Sequence, residues 1–157
     1  MSLLLPPDED PSRLRVRLRA RFTAVAVRLA SGLPIAAEDA PLAGVLDDHP
    51  EARARLATHG AEGGAEPGAE EDESAFFLHL ALHVALREQA AANLPPGIRA
   101  LYEAYLARAG GDRLRAEHRM LPALEEAVAR SLSQPGGDDP QPYLEALRRG
   151  LETPGRH

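Results

Sequence analysis

The chain has 157 residues, enough for one domain with its own core, and no Cys, which excludes disulfides, thiolate metal sites, iron–sulfur clusters and a Cys nucleophile. Hydrophobic residues make up 44% but aromatics only 4%, without Trp, and an Ala-, Leu- and Val-rich composition of this kind favours helix over sheet. The formal net charge of −6 sits in residues 60–73, GAEGGAEPGAEEDE, whose six acids face no base, so the other 18 acids balance 18 Arg and no basic face is left for nucleic acid.

The opening MSLLLPPDED is three Leu followed by acids. It is neither a secretory signal nor a span, and no apolar run reaches ~18 residues, so we read a soluble cytoplasmic protein that contacts no membrane. Residues 1–9 are expected to be flexible. Asp10-Pro11 is a cap followed by Pro at a first helical position. RLRVRLRARF behind it alternates Arg with apolar residues, as a strand would. The helical reading extends further, because Leu14, Leu18, Phe22, Val25 and Leu29 form one stripe at helical spacing that Gly32 ends. The Arg residues are read as a solvated face whose stems cover the core.

A short helix is predicted over Glu38–Leu46, and a second of about two turns from Pro50 to Gly60. Residues 60–73 are read as a flexible linker or surface loop. A helix over Ser74–Ala92 follows, broken by Asn93-Leu94-Pro95-Pro96-Gly97. The next helix, IRALYEAYLARAGG, turns Ile98, Leu101, Tyr105 and Leu106 to the core and stops at Gly110-Gly111. Asp112 caps a further helix to about Leu132, which Pro122 should kink by removing one hydrogen bond and displacing the His118 carbonyl. Asp139-Pro140 then opens a last helix, and residues 153–157 are expected to be flexible. The fold class is all-α, a single helical bundle over residues 10–152 with short connections.

The segment FFLHLALHVAL, residues 76–86, is apolar except for His79 and His83. Four residues apart on a helix, these imidazoles lie one above the other on one face. A buried imidazole must hydrogen-bond something or bind something. Two stacked imidazoles also present nitrogens to a metal, although a stable site needs further ligands from another helix. The candidates are His118 beside Glu117, Glu125 or Glu126 further along the same helix, and His49 with Glu51 at the start of the Pro50 helix. Glu88 lies about 140° round the helix from His83. His59 is read as a partner for a helix C-terminus. Three readings stand open for His79 and His83: a structural network with Glu51, Glu126 or Glu88, metal ligation, or an organic ligand or catalytic role. His49 is equally open to capping the Pro50 helix, and His118 to being a core or boundary residue.

At these residues the sequence resembles a bacterial family of small proteins, the domain-of-unknown-function 1841 family. That pattern has a His-Pro-Glu-Tyr-His segment, a Phe-Leu-His-Leu-x-Leu-His segment, a Pro-x-Gly-Ile-Arg motif and a late His-Glu-Ala-Glu-His helix. Here they correspond to His49-Pro50-Glu51, to Phe77–Gln89, to Pro95-Pro96-Gly97-Ile98-Arg99 and to Ala116-Glu117-His118-Arg119-Met120-Leu121. The resemblance covers roughly residues 20–147 and implies a fold and residue positions rather than a reaction. Three positions depart from it: Arg53 and Leu114 stand where the family has His, and Pro122 where it has Glu. A metal site in the family would thus be reduced here, or only the fold kept. The expectation is a metal-binding bundle in which His79 and His83 are paired ligands, His118 comes from a second helix, His49 contributes, and Glu51 or Glu126 supplies a carboxylate. Such donors suit Zn, Fe or Mn. The rival expectation is a non-enzymatic interaction or scaffold protein with a protein partner or a homodimer, built around a buried His–carboxylate network.

Overall fold

The computed structural model describes residues 11–59 and 69–152. The expected flexible ends, residues 60–68 of the acidic loop, the Asp10 cap and Gly60 lie outside the described residues, as do the side chains of Leu14 and His59. Every regular element among the described residues is a helix: α1 Pro11–Ser31, α2 Ala40–Asp48 after a single 3-10 turn, α3 Pro50–His59, α4 Ala69–Ala92, α5 Ile98–Arg108, α6 Arg113–Ser133 and α7 Gln141–Glu152. The all-α fold is as expected, and none of these helices is long and apolar enough to cross a membrane.

The Arg-alternating segment is helical, as its longer apolar stripe requires. Phe22 and Val25 are buried, with Leu18 and Leu29 packed against them. One boundary differs from expectation: α4 reaches back to Ala69, five residues before Ser74, and so takes in Glu70, Glu71, Asp72 and Glu73. Acids in a first helical turn complement the positive end of the helix dipole, so the charge that suggested a loop suits a helix start equally well. α6 continues through Pro122 as one helix, opened by Asp112, whose side chain accepts from the Arg115 N–H at 3.1 Å.

The chain divides into two compact units, one up to Val84 and the other from Ala85. In the first, Phe22, Val25 and Ala26 of α1, Leu42, Val45 and Leu46 of α2, Ala52 and Leu56 of α3, and Phe77, Leu80, Ala81 and Val84 of α4 share one core. Each large side chain buried there contributes roughly 1.5–3 kcal/mol. Arg19 lies over the Phe77 ring, 5.6 Å from its centre, so an α1 Arg does cover the core. Arg21 pairs with Asp39 at 2.9 Å.

The second unit is held by α5, α6 and α7 and the end of α4. The Pro95–Arg99 motif is a helix terminator. Asn93 takes the left-handed conformation, and its side chain accepts from the N–H groups of Gly97 and Arg99 at 3.2 and 3.1 Å. The Arg99 guanidinium donates to the carbonyls of Ala90 and Ala91 at 2.9 and 2.7 Å, closing the exposed end of α4. Ile98 and Tyr105 are buried as expected, whereas Leu101 and Leu106 are only half-buried.

Tyr105 donates to the Leu147 carbonyl of α7 at 2.7 Å, and its hydroxyl fills the space beside Gly150 that a Cβ would need. Gly150→Ala should therefore lower stability by about 1–2 kcal/mol, overpacking outweighing the ~1 kcal/mol gain in helix propensity. In a Tyr105→Phe background the same change should be neutral or stabilising. Denaturant unfolding of the four proteins checks this.

Candidate metal centre

The α4 helix places His79 and His83 one turn apart, with ring centres 4.6 Å apart and a hydrogen bond of 3.2 Å between their Nε2 atoms. His83 is fully buried and His79 half-buried. Two metal–imidazole bonds of ~2.0–2.1 Å at a tetrahedral angle separate their nitrogens by roughly 3.3 Å, so the observed spacing already suits a shared cation.

His49 joins them from the junction of α2 and α3. Pro50 disfavours the helical region at the preceding residue, and His49 leaves it with φ −126° and ψ 70°. Its side chain does not cap the helix that Pro50 begins. It turns back to α2, where Nδ1 lies 2.7 Å from the Val45 carbonyl. A carbonyl only accepts, so Nδ1 carries the proton and Nε2 is left with a lone pair. That Nε2 is buried and makes no hydrogen bond. The His49 ring stands 5.6 Å from that of His79 and 4.8 Å from that of His83. Each of the three offers a ring nitrogen within 4.8 Å of the others, so roughly 1 Å of side-chain adjustment brings them to one ion.

The other expected ligands fall as follows. His118 is exposed on α6, in the second unit. Glu51 is exposed in the first turn of α3. Glu126 is exposed on α6 and paired with Arg130 at 3.2 Å. Glu88 and Glu125 are exposed as well. Neither Glu51 nor Glu126 belongs to the histidine group, because each points its carboxylate to solvent or to a surface Arg. Arg53, standing where a further His was expected, donates to Asp47 at 2.9 Å and to the Leu29 carbonyl at 3.4 Å, tying α3 back toward α1 and α2.

In the second unit, Glu117 is the functional-looking carboxylate that the sequence reading passed over. It is fully buried and accepts from both Nε and Nη2 of Arg87, at 2.9 and 3.0 Å, and from the Tyr102 hydroxyl. The signal was present: Glu117 lies on the same helical stripe as Met120, Leu121 and Leu124, all buried. Close by, the buried Tyr143 hydroxyl donates to the Gln89 side-chain oxygen at 2.7 Å.

A family model described as a domain of unknown function, DUF1841, matches residues 14–149. The chain belongs to the DUF1841 family. No curated protein and no solved structure matches it. In this DUF1841 protein the histidines of the first two family segments come together in one unit, and the glutamate of the late segment is held by an ion pair.

Two predictions follow from the buried network. Removing Glu117 strands a guanidinium that is only 10% exposed, so Glu117→Ala should cost about 3–5 kcal/mol in denaturant unfolding, and Glu117→Gln less. The second concerns alkaline pH. Burial raises the pKa of Tyr102, and the Glu117 carboxylate raises it further; burial also raises those of Tyr105 and Tyr143. A folded pKa above the unfolded value of ~10 gives stability that is complete below pH ~10 and lost as pH rises through the folded values. The three tyrosines of the chain should therefore ionise only with unfolding. Tyrosinate absorbance and helical circular dichroism, followed together against pH, should change in one transition.

Proposed function

We propose that this DUF1841 protein binds a divalent transition metal through His49, His79 and His83. The observation that carries the reading is the His49 Nε2: buried, without a hydrogen bond, and held in the ligating tautomer by the Val45 carbonyl. Metal-bound histidines commonly donate their other ring N–H to a carbonyl in this way. An orphaned buried acceptor costs about 1–3 kcal/mol, which a bound cation would remove. Among the metals expected from the sequence, imidazole donors favour Zn or Fe, whereas Mn prefers the oxygen ligands that Glu51 and Glu126 would have supplied.

A second reading rests on the Arg87–Glu117–Tyr102 network. Here the buried polar groups specify the fold, the histidines belong to the same structural role, and the protein acts through a protein partner or as a homodimer. On that reading His83→Leu is tolerated or stabilising and changes no metal content.

Elemental analysis of untagged protein, purified without chelator, separates the two. The metal reading expects about one Zn or Fe per chain, lost in His49→Ala and in His83→Ala. Added metal at ~100 times its Kd should stabilise the wild type by about 2.7 kcal/mol. Wild-type protein without metal, whose melting temperature no divalent ion raises, would contradict it.

A further inference from the structure

We infer that the metal centre also takes a small oxyanion, such as a carboxylate or bicarbonate, as a ligand from solution; this rests on the metal reading above. The argument is one of charge and access. The histidine group contains no carboxylate among the described residues, and the chain has no Cys, so the ligands are imidazoles. The tautomer of His49 shows the same preference, since its proton is placed on the Val45 carbonyl and its Nε2 donates a neutral lone pair. Neutral nitrogen donors leave a divalent cation with its formal charge, where thiolates or carboxylates would cancel it. In a partly desolvated site, an added anion is favoured by more than it would be in water.

Access is graded across the group. His83 is fully buried, whereas His49 and His79 are half-buried. The His49 Nε2 is itself buried, so an ion held by all three would sit with its back against the α4 core and its open side toward His79. Catalytic zinc sites share this arrangement of protein ligands with a position left for an exogenous oxygen.

Cobalt(II) reports both halves of the inference, because its visible bands respond to ligand type and number. The full-length protein is loaded with Co(II), and its spectrum is followed during titration with acetate, bicarbonate and azide. The expected result is one Co(II) per chain, with bands that shift saturably with each anion and that are lost in a His79→Ala/His83→Ala variant. Co(II) bound at one per chain with bands unmoved by a large excess of every anion would overturn the inference and leave the metal reading standing. Failure to bind Co(II) stoichiometrically would overturn both.

Discussion

A desolvated imidazole is expensive unless its ring nitrogens are satisfied, and the first unit is arranged around that constraint. His83 is buried without exposure in the middle of the most apolar segment of the chain. A Leu there would fill the same helix face at no polar cost. Instead the structure surrounds it with two further imidazoles, His79 from the preceding turn and His49 from the corner between α2 and α3. The His49 donor is committed to the Val45 carbonyl, and its buried Nε2 is left as an acceptor without a hydrogen bond. A bound cation, as proposed above, would satisfy that nitrogen.

The surrounding helices serve that corner. Pro50 ends the freedom of His49, the Val45 carbonyl fixes its tautomer, and the buried Val45 and Leu46 anchor α2 beneath it. Arg53 braces α3 through Asp47 and the Leu29 carbonyl. Where the resemblance implies a His, Arg53 therefore serves as a brace. The second unit solves a related problem differently. Its buried charge, Glu117, receives a bidentate guanidinium and a phenol, so that it is satisfied by protein groups alone.

Much of this was legible in the sequence because it depends on local spacing. The caps, the glycine stops and the apolar stripes give the helices, and the four-residue interval gives the His79–His83 stack. His49 was nominated by the His-Pro-Glu motif, but whether it caps forward or ligates could not be read, since that depends on which way one torsion turns at a helix junction. Glu51 is nominated by the same His-Pro-Glu motif and Glu126 by its place on the helix of His118. Their helices turn them to solvent, and Glu126 has a surface Arg one turn away. Glu117 is hard to single out in sequence beside His118, although the burial of its stripe is written in Met120, Leu121 and Leu124. The α4 start was misplaced for a physical reason too: acids beside glycines resemble a loop until the helix dipole is counted.

The central claim is that imidazole nitrogens, and not carboxylates, hold the metal. X-ray absorption spectroscopy on zinc-loaded protein tests it most directly, because imidazole rings add a characteristic outer-shell scattering that carboxylates lack. The account predicts a first shell dominated by nitrogen at about 2.0–2.1 Å, with at least three imidazoles required to fit the outer shells. A first shell fitted by oxygen ligands with one imidazole or none would contradict it.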